Sequence, residues 1–397
     1  MTDFERVIGW FEEGRLVRPS AGRPHFIDLV RSLARHAGAA GIGADEGADR
    51  VDSVVGSGGR RLLVLVDALG TSQLERLPRD AFMREHLKER LQSVFLSTTA
   101  CALSTFATAE WPARHAVPGW WAYLDDRKLD VVTLPFVQRG TGTPLEDLGV
   151  PIEALCPLPS VWANVAEGFW HLVPAAYSES VYTTYASGGA RRIGYEDLED
   201  AFSRAAEIAV RPDARFTYLY LPHYDAAAHE RGTESETVVE LLRRIDVMLA
   251  RLAEDLNGSA TMIVTADHGQ VNTPASDRIF LAPDDEVLEP LEAVPSGEMT
   301  VPFFHVKVGR EAEFRERFGS RLGERFALLS VDEVEALELL GPGRLSPVMR
   351  RRVGSFIGVA PDPVQLHVVA PGYDGPSFVG VHGGLRPEEM EVPLVVA

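Results

Sequence analysis

Three continuous apolar runs, residues 61–66 (RLLVLV), Phe216–Leu221 (FTYLYL) and 261–266 (TMIVTA), each lead into an aspartate, and nothing else in the chain constrains the fold as strongly. A strand that is apolar at nearly every position has water on neither face. That is the habit of parallel strands covered by helices on both sides, not of half-exposed antiparallel ones. Helical stretches at 196–210 and 234–256 separate the runs, so strand and helix alternate. The expected fold class is α/β, with a mostly parallel central sheet and helices on both faces. Ligands of such sheets collect beyond the carboxyl ends of the strands, where Asp67, Asp225 and Asp267 fall.

Ahead of the first run, residues 4–13 and 25–37 have helical periodicity, and 38–59, rich in Gly, Ala and Asp, read as a loop or linker. Residues 1–60 are therefore expected to form a helical extension and linker before a catalytic domain over 61–397. Within that domain the pattern predicts short helices at 72–77 and 81–89, a strand at 91–96, and a helix opening at Thr98-Thr99 and running through Thr108. Over 280–354 it changes to short strands (301–308) and helices (311–318, 331–340), which reads as a small cap inserted into the core. The core resumes with strands at 365–370 and 392–396.

A net charge of −19 argues against a sequence-independent grip on nucleic acid polymers or on anionic membranes, since both need clustered Lys and Arg. The long uncharged run 91–109 carries Gln92, Ser93, Ser97, Thr98, Thr99 and further hydroxyls, too polar for a membrane span. Two cysteines, Cys101 and Cys156, are too few for a disulfide framework, and Asp3, Glu5 and Arg6 stand where a signal peptide needs apolar residues. The expectation is a cytoplasmic protein whose partner is a small molecule.

Four fragments carry the chemistry. Asp67 ends the first strand. Asp225 and His229, four apart, share a face if that segment is helical and can then chelate one cation. Asp267-His268-Gly269 sets a carboxylate beside an imidazole just past a strand, and His382-Gly383 adds a late imidazole in a Gly-rich turn. Each fragment alone is more often a capping aspartate or a partly buried histidine. As a set, with three apolar runs leading to Asp and two His within reach, they point to two divalent metal ions and phosphoryl transfer. His115 and His223 stay open as candidates, while His25, His36, His86, His171, His305 and His367 read as structural or surface residues.

The set resembles the nucleotide pyrophosphatase/phosphodiesterase branch of the alkaline phosphatase superfamily. The likeness rests on Val66-Asp67-Ala68-Leu69-Gly70, Leu96-Ser97-Thr98-Thr99 at a helix start, Asp225 with His229, Asp267-His268-Gly269 and Gly380-Val381-His382-Gly383, in family order. It implies an alkaline-phosphatase-like fold with Thr99 as nucleophile. It also implies one ion on Asp225, His229 and His382 and a second on Asp67, Thr99, Asp267 and His268, with zinc first and manganese as fallback. The implied activity is phosphodiester or pyrophosphate hydrolysis on a small phosphorylated substrate. The alternatives are a phosphomonoesterase, a phosphonate hydrolase or a degenerate binding protein.

The chain departs from the family where Phe-Pro-Asn usually follows the nucleophile, carrying Ala100, Cys101 and Ala102 instead, and at Thr108-Ala109 and His115-Ala116, where glycine is usual at the second position. These departures touch nucleotide recognition and leave the metal and nucleophile positions intact. The Cys-x-Pro-x-Arg of sulfatases is absent from 101–105, and Cys101 reads as packing. The apolar run Ala100 to Leu103 favours a diester. An arginine folded in from afar, such as Arg191 or Arg192, would favour a monoester instead.

Overall fold

The apolar runs lie side by side. In the computed structural model, which describes residues 1–397 except 21, 23, 44, 57, 166 and 370–377, a seven-stranded sheet forms the centre. Its strands are β1 (Arg60–Val66), β2 (Leu87–Gln92), β3 (Phe169–Pro174), β4 (Arg191–Tyr195), β5 (Phe216–Leu221), β6 (Ala260–Thr265) and β7 (Glu391–Val396), in the order β2-β7-β6-β1-β5-β3-β4. Strand β1 is parallel to β5 on one side and β6 on the other, with Val66 opposite Leu221 and Leu65 opposite Thr265. This register brings the carboxyl ends of the three strands level, so the aspartates that follow them emerge at one edge. Strand β7 enters antiparallel between β2 and β6.

The helices that matter for the site are α1 (Asp3–Glu12), α2 (Phe26–Ala37), α3 (Glu46–Val55), α4 (Thr99–Thr108), α5 (Leu198–Ala209), α6 (His223–Arg231) and α7 (Glu236–Leu256). Helix α5 packs on β1, β3 and β5 and is backed by α7, while α4 is backed by α2. Val7, Phe26, Leu33 and Val51 of the first three helices are buried in the same apolar cluster as the central strands. Among the described residues, no helix is long and apolar enough to cross a membrane.

Several local expectations are corrected. The stretch 38–59 contains α3, because Asp45 accepts a hydrogen bond from the Ala48 amide as N-cap, and Val51 and Val55, one turn apart, are buried. The second strand spans Leu87–Gln92, six residues of which Leu87 to Arg90 alternate between partly buried and exposed. Its run of charged residues, Lys88, Glu89 and Arg90, mimics a polar helix in sequence, whereas an edge strand tolerates it. The strand expected at 365–370 does not rejoin the centre: Gln365–Val368 pairs in parallel with Arg278–Leu281, and residue 370 lies outside the described residues.

A second seven-stranded sheet combines strands over 121–138 with strands over 296–359, in the order Ala327–Ser330, Phe356–Val359, Pro302–Phe304, Ser296–Gly297, Trp121–Leu124, Leu129–Val132 and Val137–Gln138. It is antiparallel at every pairing described. Antiparallel pairing lets distant segments meet without helical crossovers, which is why the part from 121–138 was not visible as a unit with 280–354.

His115, beside α4, shows what this interior does to a titratable group. Its Nδ1 accepts from the Val117 amide and its Nε2–H donates to Thr105 Oγ1, each at 3.1 Å, so the neutral ring is locked in one tautomer. Burial, and secondarily the Arg352 cation, pushes its pKa down from 6.5 to about 3. The unfolded chain takes up a proton here below pH 6.5 and the folded chain does not. Stability from this group is thus present above pH 6.5 and lost as the pH falls toward 3. The stability gap between the native chain and His115→Gln, measured by urea unfolding, is expected to be widest at pH 7 and to shrink at pH 5. A gap independent of pH would contradict the locked neutral ring.

Candidate active site

Asp67 leaves β1 through Ala68, whose φ of +62° is left-handed. A non-glycine residue in that region costs on the order of 1 kcal/mol and persists only where the surroundings demand it. Here the demand is visible, since the twist sends the Ala68 amide to Asp267 Oδ1 at 3.2 Å. The His268 amide donates to the same oxygen at 3.1 Å. Asp267 Oδ2, fully buried, has no hydrogen-bond partner among the described residues and lies 3.5 Å from His268 Nε2. At the same edge Gly70 and Gly269 pack back to back under the Glu388 carbonyl, and a Cβ on Gly269 would stand 2.0 Å from that oxygen.

Thr99 is the first residue of α4, with the extended Thr98 as its N-cap. Its Oγ1 lies 3.1 Å from His268 Nε2 and 3.5 Å from Asp67 Oδ1, and His268 Nε2 is 3.4 Å from that same Asp67 oxygen. In the first turn of α6, Asp225 Oδ1 sits 3.2 Å from His229 Nε2 and 3.8 Å from His382 Nε2, and the two imidazole nitrogens are 3.2 Å apart. Asp225, His229 and His382 form one group of ligand atoms within 4.8 Å of one another, and Asp67, Asp225 and His268 form a second, so Asp225 reaches both. All seven residues singled out from the sequence meet at this edge.

The protons can be placed. Each of the three imidazoles directs Nδ1 at a backbone carbonyl: His229 at Gly380 (2.7 Å), His268 at Gly269 (3.0 Å) and His382 at Ser97 (3.2 Å). A carbonyl only accepts, so each Nδ1 carries a hydrogen, and in the neutral form of the ring Nε2 keeps a lone pair turned inward. Burial, reinforced by the neighbouring His268 and His229, holds His382 well below the usual imidazole range and keeps it neutral. The carboxylates are pushed the other way. Burial first, then the nearby Asp267 and Asp225, raises Asp67 well above the ordinary range, and burial likewise raises Asp267.

Three contributors were not read from the sequence. The Tyr220 hydroxyl donates to Asp67 Oδ2, and the alternation of β5, which puts Tyr218 and Tyr220 on one face, is the signal that could have found it. Glu298, in the turn after Ser296–Gly297 of the second sheet, accepts on Oε1 from Thr98 Oγ1 (2.6 Å) and from the Trp120 amide (2.8 Å). Thr300 Oγ1 donates to the His382 carbonyl at 2.7 Å. No sequence signal marks these last two. The two open histidines lie elsewhere: His115 beside Thr105, and His223 stacked 6.0 Å from Tyr195.

With this geometry in view, a profile of the type I phosphodiesterase / nucleotide pyrophosphatase family matches residues 62–317. The chain belongs to that family. It is a phosphoric ester hydrolase of the alkaline phosphatase superfamily, and its fold is alkaline-phosphatase-like. Murine ectonucleotide pyrophosphatase / phosphodiesterase 5 superposes with a TM-score of 0.64 at 16% identity, covering 84% of this chain and 87% of that one. The human protein of the same name gives 0.62 at 15%, covering 85% and 87%. Phosphonoacetate hydrolase from Sinorhizobium meliloti 1021, in complex with phosphonoformate, gives 0.62 at 15%, covering 85% and 89%. No curated protein matches the sequence.

Glu298 ties the second sheet to the residue before Thr99, and its replacement tests that tie. Glu298→Ala leaves Thr98 Oγ1 and the Trp120 amide without their acceptor and is expected to cost roughly 1–3 kcal/mol of stability and to lower turnover. Glu298→Gln still offers an acceptor and should retain most of both. Unfolding curves and initial rates on the two variants check this, and an alanine variant as stable and active as the native chain would show the contact to be idle.

Proposed function

We propose that this hydrolase is a metal-dependent phosphodiesterase acting on a small phosphorylated molecule, with Thr99 as nucleophile and two divalent cations, zinc first and manganese second. The observation that carries the reading is the trio of imidazoles whose Nδ1–H groups are committed to carbonyls, so that three Nε2 lone pairs converge on buried carboxylates beside Thr99. The residues fit cations. His229 Nε2 and His382 Nε2 stand 3.2 Å apart, and Asp267 Oδ2 is unpartnered among the described residues. Asp225, His229 and His382 would hold one ion, and Asp67, Asp267, His268 and Thr99 the other.

When bound, such ions supply Lewis acidity, lowering the pKa of a hydroxyl and offsetting phosphoryl charge. The chain's own groups do the rest. Tyr220 orients Asp67, and the first turn of α4 offers backbone N–H groups and the positive end of the helix dipole to the phosphoryl oxygens. Thr99 Oγ1 bonds to phosphorus as the ester P–O bond breaks. The threonine proton is released, and the departing alkoxide takes one up. Water then displaces Thr99 from phosphorus, which restores the hydroxyl and frees a phosphomonoester.

Support for the diester comes from the arginines. Arg191 pairs with Asp213, while Arg192 bonds the Ser178 carbonyl and Glu179. Neither is free to meet the extra charge of a monoester dianion. Support for Thr99 comes from a neighbour: an inactive form of the murine protein, carrying a threonine-to-alanine substitution, is described in complex with AMP.

Elemental analysis after mild dialysis is expected to find close to two divalent ions per chain. Thr99→Ala should lose turnover by several orders of magnitude and keep the ions, whereas His382→Ala should lose one of them. If Thr98→Ala is the dead variant and Thr99→Ala is active, the nucleophile is misassigned. Bis-p-nitrophenyl phosphate is expected to be cleaved with higher kcat/KM than p-nitrophenyl phosphate. A clear preference for the monoester moves the assignment to a phosphatase.

A further inference from the structure

Between the two-residue strand Gly380–Val381 and the short helix Pro387–Met390, residues 382–386 belong to no helix or strand, and His382 is the first of them. A ligand on such a segment is held in place only by the bonds made to its backbone and ring. Thr300 holds the His382 carbonyl, and Ser97, wholly buried two residues ahead of Thr99, makes three further bonds. The Ser97 carbonyl accepts from His382 Nδ1 at 3.2 Å. Its Oγ accepts from the Gly383 amide at 3.2 Å and donates to the Gly384 carbonyl at 2.7 Å.

The Gly384 amide turns away from these and donates to Oε1 of Glu389 at 2.8 Å. Glu389 is only 3% exposed, an acid inside the protein that nothing in the sequence singles out. A Cβ on Gly384 would stand 2.7 Å from its Oε2 and 3.0 Å from its Oε1, so the carboxylate lies close against the glycine. The main chain of the same residue serves the opposite half of the site. The Glu389 carbonyl accepts from the Gly269 amide at 2.8 Å, directly after Asp267 and His268. Burial, opposed first by the Gly384 amide and then by Arg386, pushes the carboxyl up to about 7. Oε1 can accept from the amide in either protonation state, so the tie does not depend on the charge.

We propose that Glu389 is a positioning residue of the two-cation site, whose carboxylate, through the Gly384 amide, sets where His382 stands relative to Asp225 and His229. The proposal rests on the metal-dependent reading above and adds to it a residue that acts through His382 rather than as a ligand. Partners that orient a ligand in this way typically carry about 10–100-fold in metal affinity. The carboxylate bonds within the His382 segment, so the ion on Asp225, His229 and His382 should feel its loss and the other ion should not.

The test is calorimetric titration of the chelator-stripped full chain with Zn2+. The native chain is expected to show two binding steps, and His382→Ala identifies the one that depends on His382. Glu389→Ala should weaken that step by about 10–100-fold and leave the other unchanged. Glu389→Gln keeps an oxygen within reach of the Gly384 amide and should restore most of the affinity. Glu389→Asp keeps the charge but is one methylene too short and should not restore it. Gly384→Ala, whose Cβ displaces the carboxylate while Glu389 stays in the chain, should weaken the same step, so the test stands if Glu389→Ala does not fold. In the His382→Ala chain, adding Glu389→Ala should leave the remaining step as it was. Two steps weakened alike, or affinity restored by Glu389→Asp and not by Glu389→Gln, would mean that the acid acts on the fold at large or through its charge, and the proposal would be overturned. Unchanged titrations in Glu389→Ala and Gly384→Ala would overturn it too, with the metal reading intact. A native chain that takes up no zinc refutes that reading instead.

Discussion

Three carboxylates, Asp67, Asp225 and Asp267, are gathered at one strand edge with little or no access to water, and the surrounding structure is arranged to make that tolerable. Like charges in a dry site repel strongly. The protein answers with donors aimed at each: the Tyr220 hydroxyl on Asp67, two amides, one from a strained alanine, on Asp267, and the Gln270 side-chain amide on Asp225. What remains is an excess of lone pairs, three from imidazole nitrogens and one from an orphaned carboxylate oxygen. The surplus is a binding potential for cations, and the catalytic reading follows from it rather than from any single residue.

The frame that holds these groups comes from two directions. The parallel register of β1, β5 and β6 levels three aspartates along one edge. The second sheet approaches from outside, where Glu298 fixes the turn into α4 and Thr300 fixes the backbone at His382. Thr99 on a helix start and His382 on a loop are thus both pinned by a sheet that carries neither.

The sequence was legible where local pattern and tertiary role agree. Continuous apolar strands can be buried only one way, and Asp225 and His229 at helical spacing do bring Oδ1 and Nε2 within 3.2 Å of each other. It was illegible where the role depends on a distant partner and no motif marks the residue. Nothing near Glu298 announces a buried acid, because its meaning lies in Thr98 and Trp120. The charged edge strand Leu87–Gln92 and the capped helix Glu46–Val55 were missed for a related reason. Each is stabilised by a neighbour, β7 in one case and α2 in the other, more than by its own composition.

Strand β7 has a consequence for how the molecule comes into being. It fills the slot between β2 and β6, it follows closely on His382, and the Glu388 carbonyl just before it caps the paired glycines under the aspartates. A nascent chain that has emerged only through Gly269 therefore has Thr99 and all three aspartates but lacks His382, and it presents two open sheet edges to its neighbours. Chemical competence and protection from aggregation arrive together, when the last strand slides home.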